Sequence, residues 1–526
     1  MSELPLGFLI RARRLLRNDQ LLVIGLALIA GALAALGAVA FRQGIGVVQS
    51  VALGFSSERV HSLAAGLPWW RVPLALALGG LAVGVLAHVF LPDRRAQGVP
   101  HVMVANARHG GRMPLRTGLA AALVSVISLG CGASAGREGP AVHLGATLAS
   151  WLAGTVRLPS ALTRTLLGCG VASAVAASFN APIAGVFFAL EVVVGQYTLS
   201  TLAPVMLASV VGTGVGRAVY GDFPAFVLPR YATGPLADLP AFAVLGLVAG
   251  LVAVAFMAAT LALQDRAERL PLPRWLLPAL GGVLVGAIAL RYPHVLGVGY
   301  EATDDVLQGR LPTGLMAELL AAKLAATAVT LAFGFGGGLF SPALVLGAMT
   351  GGLAAAAAAV VVPDWASAPP VYVLVGMGAV AGPVLGAPIS TILIVFEMSG
   401  DYAVTLAVMV GVIASSGLVH GLAGHSFFTW QLARRGIELR PPQAVGHLAS
   451  ATVADVMVDE PADAVTGPEL GPETPLAEAL RRFEETGLDR LPVRAPEGQL
   501  IGVVFERDLL RAYVRALRGE HRSVRR

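Results

Sequence analysis

The segment GREGP at residues 136–140 leads into an apolar run that begins at Ala141. Glycine before a helix lets backbone N–H groups turn toward a ligand, and proline in the first turn loses no hydrogen bond because its amide would be unpaired there. Such a helix start carries a partial positive charge of roughly half an elementary charge, which favours an anion. The segment therefore predicts a helix N-terminus that faces a small anion.

Two further segments have the same character, RRAQGVP at residues 94–100 and GGGLFSP at residues 336–342. Three amide-rich helix starts suit one task, the binding of an anion by backbone N–H groups. Glu138 is unusual among them because a carboxylate beside an apolar run costs several kcal/mol unless it is paired, protonated or bound by those amides. We expect Glu138 to act as a tethered competitor that fills the anion's place when ionised and frees it when protonated. The alternative is a glutamate that only caps its own helix.

The chain repeats two of its segments at nearly the same offset. Residues 136–146 and 338–348 share the pattern GxxxPAxxLGA. Residues 181–191 and 387–397 share the pattern API, followed in each case by a glutamate nine residues after the proline. Two matches in the same order predict a duplicated half. Many transporters are built from two such halves, with the substrate held near the bilayer midplane. The repeat alone leaves open whether the halves are inverted.

The composition places the chain in a membrane. Of its 526 residues 56% are hydrophobic and only 13% are charged, and the mean hydropathy is +0.74, outside the range of ordinary soluble domains. Apolar stretches long enough for a hydrocarbon core recur along the chain. The clear ones are residues 21–41, 72–90, 119–135, 202–219, 241–263, 275–290, 315–333 and 402–422. The glycine- and proline-rich pieces between them predict broken helices, which protein or a polar cavity must surround.

Arginines before the first span and in the tail after Ala433 predict that both ends are cytoplasmic in the cell membrane. The net charge is +5, but the basic residues form no face interleaved with aromatic residues, so we expect no nucleic acid as partner. The expected partner is the lipid bilayer. Cys131 and Cys169 lack metal-ligand spacing and are expected to be packing residues. The sequence has no HExxH pattern of a metalloprotease, and we expect no enzyme and no metal. A cation transporter would instead need carboxylates or carbonyls along its path.

Several motifs together resemble those of the CLC family of chloride channels and chloride/proton antiporters. They are AQGVP at 96–100, GREGP at 136–140, FNAPIAG at 179–185 followed by Glu191, and GLFSP at 338–342. The likeness covers roughly residues 20–435. It implies an all-α polytopic membrane fold with two inverted halves and broken helices. It also implies a homodimer with one pore in each subunit, whose contact involves helices similar to residues 181–197 and 402–421.

The resemblance also assigns roles to residues of this chain. Glu138 is implied to be the gating glutamate, and the amides of Leu339 and Phe340 are implied to bind the central anion. The anion-binding positions carried over from the family are Gln97, Gly98, Arg137, Gly139, Leu339, Phe340 and Phe428.

Three positions depart from the family's exchangers. Gln97 replaces a serine whose hydroxyl faces the anion, and Phe428 replaces a tyrosine, so the central site loses hydroxyl donors. Val192 stands where exchangers carry a second, proton-accepting glutamate, and valine cannot relay protons. We therefore expect passive, glutamate-gated conduction of chloride or a similar small anion. The alternatives are a chloride/proton antiporter with an atypical proton route, for instance through water or Glu191, and a member that prefers fluoride or nitrate.

The tail after the last span resembles a single CBS repeat, with an amphipathic helix at residues 477–485 and a strand at 500–505. Asp508 matches a position that often contacts a ribose, but Phe505 replaces the usual threonine or serine. We therefore expect no cofactor other than bound chloride ions. The predicted organisation is a basic N-terminus at 1–20, a transmembrane domain at 21–435, a linker at 436–450, a CBS-like domain at 451–515 and a basic tail at 516–526.

Overall fold

The computed structural model describes residues 19–195, 197–222, 226, 238–361, 367–437, 452–458, 467–495 and 499–518. The chain divides into two compact units, Met1–Glu438 and Leu439–Arg526. Most of the predicted basic N-terminus, most of the predicted linker and most of the predicted basic tail lie outside the described residues.

The described part of the first unit is helical, which confirms the predicted all-α membrane fold. The helices of its first half are α1 Asp19–Ala52, α2 Val60–Ala65, α3 Arg71–Phe90, α4 Val99–Arg108, α5 Leu115–Gly130, α6 Glu138–Thr155, α7 Ser160–Phe179, α8 Pro182–Phe188 and α9 Leu199–Tyr220. The helices of its second half are α10 Leu239–Glu268, α11 Leu277–Arg291, α12 Tyr300–Leu307, α13 Thr313–Ala332, α14 Phe340–Val361, α15 Pro369–Leu385, α16 Pro388–Ser399, α17 Tyr402–Ala423 and α18 Phe427–Arg434.

Within the described residues, eight helical segments are long and apolar enough to cross a membrane. Six of them correspond to predicted spans. The prediction was wrong for residues 119–135 and 275–290, because α5 and α11 are only 16 and 15 residues long. It also passed over α7 and α14, which have 20 and 22 residues and are long enough. In α7 small residues lower the mean hydropathy to 1.3, the lowest of the eight, whereas α14 is as apolar as the predicted spans, at 2.0.

The two halves meet at an antiparallel bridge between Gly136 and Gly338. The N–H of each glycine donates to the carbonyl of the other, and both N–O distances are 2.7 Å. The residues that follow begin α6 and α14, so the N-termini of both helices lie at one place. A reciprocal antiparallel pair relates the two segments by a local two-fold axis. The two repeated segments are therefore related by two-fold symmetry at this contact.

Glycines let the repeated helices approach each other closely. A Cβ on Gly170 of α7 would lie 2.3 Å from the carbonyl oxygen of Gly145 of α6. In the other half, a Cβ on Gly376 of α15 would lie 2.3 Å from the carbonyl oxygen of Gly347 of α14. Small residues at helix contacts are typical of membrane bundles because backbones must approach where no hydrophobic effect drives packing. Both halves use the same contact, so these glycines support the orientation of α6 and α14.

We predict that Gly376→Ala lowers the stability of the protein by about 1–3 kcal/mol, because the added methyl group would force α15 away from α14. Gly214→Ala is the matched control. Gly214 lies within α9, and a methyl group added there would meet nothing within 4 Å, so alanine should be neutral or slightly stabilising. Thermal unfolding of the purified variants in detergent measures both. Equal midpoints for the two variants would contradict the packing argument.

The second unit has its own small core. Its described elements are α19 Leu476–Thr486, β1 Arg490–Arg494, β2 Leu500–Phe505 and α20 Glu506–Arg518. The two strands pair antiparallel, with Pro492 opposite Val503 and a register shift after Val493. Its buried side chains are Val453, Leu470, Leu476, Ala479, Phe483, Leu491, Val493, Val504 and Leu509. The amphipathic helix and the strand predicted from the sequence are both present.

Candidate functional site

The three glycine- and proline-rich segments meet around one cavity of about 100 Å³. The segment before α4, the start of α6 and the start of α14 each contribute residues to its lining. Seven of the predicted site residues line this cavity: Gln97, Gly98, Glu138, Gly139, Leu339, Phe340 and Phe428. Arg137 and Val192 do not line it. Backbone N–H groups from two helix N-termini, α6 and α14, therefore point toward a common space that suits a small anion.

The Glu138 side chain occupies the junction of the two halves and is only 4% exposed. Its Oε1 accepts hydrogen bonds from the Tyr300 hydroxyl at 2.8 Å and from Ser341 Oγ at 2.6 Å. Its Oε2 is buried and has no hydrogen-bond partner. A carboxylate held by hydroxyl donors at two helix N-termini takes the place that a free anion would take. This position fits the predicted tethered competitor.

Arg137 lies on the other side of the gate segment. Its guanidinium is 2.6 Å from Glu58 Oε1, and Arg42 contacts the same carboxylate at 2.9 Å. Burial raises the pKa of Glu58, but the charges of Arg137 and Arg42 together lower that pKa below its ordinary value. Arg137, Arg42 and Tyr300 line a wider cavity of about 760 Å³. Arg137 thus adds positive charge to an approach to Glu138 and not to the cavity beyond it.

Sequence reasoning missed Tyr300 and Ser341, the two donors to Glu138. A signal for Tyr300 was present in the repeat. Gly299 lies 201 residues after Gly98, and Gly338 lies 202 residues after Gly136, so α12 is the repeat counterpart of α4. Gly299 has φ of +93°, a conformation that favours glycine and allows the sharp entry into α12. Tyr300, in the second half of the chain, consequently contacts Glu138, whereas Gln97 belongs to the first half.

Lys323 supports the segment that carries Tyr300. Its side chain is 1% exposed, and its Nζ donates to the carbonyls of Val295 at 3.0 Å and Gly297 at 2.9 Å. These carbonyls belong to the turn immediately before α12. A buried cation held by backbone carbonyls fixes that turn, since the carbonyls would otherwise lack a donor. Lys323 is therefore a positioning residue for the Tyr300 hydroxyl.

The carboxylate of Glu191 is already engaged. It accepts hydrogen bonds from the N–H groups of Ile389 at 3.1 Å and Ser390 at 2.9 Å, at the start of α16. In the other half, Glu397 accepts from the N–H groups of Ile183 and Ala184 at the start of α8. Glu191, which follows α8, thus caps the start of α16, and Glu397, which lies in α16, caps the start of α8. A carboxylate that holds a helix start in this way is poorly suited to be a mobile proton acceptor.

Val192 is buried, with 7% exposure, in a π-helical turn at Ala189–Val194. Its side chain offers no donor or acceptor. Phe428, at the start of α18, places an apolar ring in the cavity lining, and it lies 6.3 Å from the ring of Phe427. The cavity is therefore narrowed by aromatic rings and lacks a hydroxyl group at this position, as expected from the sequence.

Comparison with known proteins agrees with this arrangement. A family model described as the voltage gated chloride channel matches residues 79–420. A ClcB-like protein of Ralstonia nicotianae is 33% identical over 431 residues, which cover 80% of this chain and 99% of that protein. This chain belongs to the CLC family. The family's H+/Cl− exchange transporter ClcA of Salmonella agona is 29% identical, with 80% of this chain and 91% of that protein covered.

A solved CLC structure has the same fold. The structure of a slow cyanobacterial Cl−/H+ antiporter matches with a TM-score of 0.70 and 22% identity, covering 78% of this chain and 97% of that one. This match confirms the predicted CLC-type fold with its broken helices. The CBS resemblance of the tail is also confirmed, because a CBS domain model matches residues 453–515.

In the CBS domain, arginine side chains contact both Phe505 and Asp508. The Arg507 guanidinium lies over the Phe505 ring, 5.0 Å from its centroid. The Asp508 carboxylate is 3.6 Å from Arg507 and 3.4 Å from Arg511. Arginines therefore already face the carboxylate that would meet a ribose, and an aromatic ring takes the place of a hydroxyl donor.

Proposed function

We propose that this CLC protein conducts chloride or a similar small anion passively, with Glu138 as the gate. The observation that carries the proposal is the Glu138 carboxylate, buried at the junction of α6 and α14 and held by Tyr300 and Ser341. Ionised, it occupies the anion's place between the cavity of Gln97 and the wider cavity of Arg137. Protonated, it loses the charge that the helix N-termini attract, and an anion can replace it.

The absence of a proton-accepting side chain at Val192 supports passive conduction over exchange. The engagement of Glu191 by Ile389 and Ser390 adds to this support, because the nearest carboxylate to that position is used as a helix cap. The second candidate is chloride/proton exchange by another route. It is favoured by the names of relatives, since ClcA of Salmonella agona is named an H+/Cl− exchange transporter. The two candidates differ in whether protons move with the anion.

Flux through vesicles that contain the purified full chain separates the candidates. Chloride and proton movements are recorded together, and the reversal potential is measured with and without a pH gradient. We expect chloride to move down its gradient without stoichiometric proton transport and the reversal potential to ignore the pH gradient. A reversal potential that follows the pH gradient would establish exchange instead. Competition by fluoride and nitrate in the same assay identifies the preferred anion.

We predict that Val192→Glu alone does not create strict exchange. The new carboxylate would restore a proton acceptor, but the ring of Phe428 would still offer the anion no hydroxyl donor at its own position in the lining. Proton movement in this variant should stay well below stoichiometric coupling when chloride and proton fluxes are recorded together. Val193→Glu, one residue further along the same turn, is the matched control for the added charge. Tight coupling in Val192→Glu would contradict the role given to Phe428.

We further propose a homodimer in the cell membrane with both chain ends in the cytoplasm. Ile183 of α8, Ile389 of α16 and Ile413 of α17 are 46%, 45% and 62% exposed. They lie on the helices for which the family resemblance implies the subunit contact, and a second copy or lipid would cover them. Chemical crosslinking of the protein in its membrane tests the dimer.

A further inference from the structure

His101 faces the cavity from the first turn of α4, on the side away from Tyr300. It lines the same cavity as Glu138 and Gln97. Its Nδ1 accepts a hydrogen bond from the N–H of Gly98 at 3.2 Å. That N–H is one of the backbone donors of the predicted anion site, so the neutral imidazole ring occupies a donor that an anion would use.

Protonation of His101 would reverse this arrangement. Nδ1 accepts the Gly98 N–H only through its lone pair, and an imidazolium ring has none, because both of its nitrogens carry protons. The Gly98 N–H would then be released. Gly98 itself lines the cavity, so the released N–H would belong to a residue that an anion in the cavity can reach. The imidazolium would also add a positive charge at the cavity wall.

The surroundings of His101 supply charges of both signs. The titratable and charged groups near it, or on the elements packed against α4, are Asp93, Glu138, His143, Glu191, Arg434 and Arg435. Burial and the charge of Arg435 oppose the imidazolium, whereas Asp93, whose Oδ2 lies 3.6 Å from His101 Nε2, favours it. Glu191 is bound by the start of α16, and Arg434 pairs with Asp265.

His143 is the buried neighbour of His101 on α6. The two rings meet edge to face, with centroids 6.3 Å apart, and His143 is 2% exposed. Its Nε2 has no hydrogen-bond partner. The pair therefore lies at the wall of the cavity with His101 exposed to the cavity and His143 behind it.

The geometry points to His101 as a proton-operated switch of the anion site: the neutral ring caps the Gly98 N–H, and the protonated ring frees it for the anion. This inference rests on the proposed function, since it takes the cavity to be the anion site. Because the anion binds the protonated form more tightly, its affinity falls as the pH rises. By linkage, a bound anion equally favours uptake of a proton. The switch uses a different titratable group from the Glu138 gate.

Chloride binding measured by calorimetry tests the inference. The purified full chain carries Glu138→Gln, which removes the titration of the gate. It is measured at about pH 8 and at about pH 4.5, and the lower value lies below the ordinary histidine range because burial opposes protonation of His101. We expect chloride to bind about fivefold or more tightly at the lower pH. Adding His101→Gln should abolish that difference. His420→Gln, on an exposed position of α17, is the matched control and should keep it.

Two further variants separate a switch from a merely structural residue. Glutamine can still accept the Gly98 N–H, whereas alanine cannot, so His101→Ala should bind chloride more tightly than His101→Gln at the higher pH. Asp93→Asn, an exposed change, should move the pH dependence to lower pH. An unchanged pH dependence with His101→Gln, or none at all in Glu138→Gln alone, would overturn the inference. The gate proposal fails separately, when Glu138→Gln leaves chloride flux unchanged.

Discussion

Glu138→Gln is expected to raise chloride flux at neutral pH by about tenfold or more and to flatten its dependence on pH. Glutamine keeps the shape of the protonated gate, but it lacks the charge that the N-termini of α6 and α14 attract. Hydrogen bonds to an ionised group contribute about 1.5–3 kcal/mol each, and Glu138 receives two of them, from Tyr300 and Ser341. Neutralising the carboxylate weakens both. Chloride efflux from vesicles at several pH values measures the effect.

The matched control for this change is Glu318→Gln. Glu318 is an exposed glutamate that also accepts a hydrogen bond from a tyrosine, Tyr292, at 2.8 Å, but it does not line the cavity. Its replacement should leave flux and pH dependence unchanged. The gate assignment would be wrong if Glu138→Gln conducted at the same rate as the unmodified protein and retained its response to pH.

Tyr300→Phe is the second change with a large expected effect. It removes one of the two donors to Glu138 Oε1 and leaves the ring to pack against Arg137 and Phe226. The ionised gate would then be held only by Ser341 and the helix N-termini. We expect flux at neutral pH to rise severalfold, and the flux–pH curve to move toward higher pH because the ionised form has lost a donor.

Tyr292→Phe controls for the loss of a tyrosine hydroxyl that contacts a glutamate outside the cavity. The double variant of Tyr300→Phe with Glu138→Gln provides a sharper comparison. If the hydroxyl acts through the gate, the double variant should conduct like Glu138→Gln alone. Additive increases in flux would instead show that Tyr300 affects conduction by another means.

The sequence predicted the residues that line the cavity more completely than the side chains that donate hydrogen bonds to Glu138. The segments that contain Gln97, Glu138 and Phe340 were found because glycine and proline mark helix starts whatever the rest of the chain does, and the family resemblance then assigned roles to these residues. The donors to Glu138 were not found, because Tyr300 lies 162 residues away along the chain and a phenol carries no local signature of a gate. Likewise, the use of Glu191 as a helix cap depends on Ile389 and Ser390, which only the fold brings near it.

The sequence by itself determined the membrane environment, the duplicated halves and the three helix starts, since these follow from local composition, periodicity and backbone preference. Only the tertiary structure decided that the halves meet about a local two-fold axis at Gly136 and Gly338, that Tyr300 and Ser341 donate to Glu138, and that His101 accepts from Gly98 beside the cavity. The physical reason is the separation along the chain between the residues that interact. Helix starts are specified by neighbouring residues, whereas a buried carboxylate is satisfied by whichever donors the packing of distant helices places within about 3 Å of it.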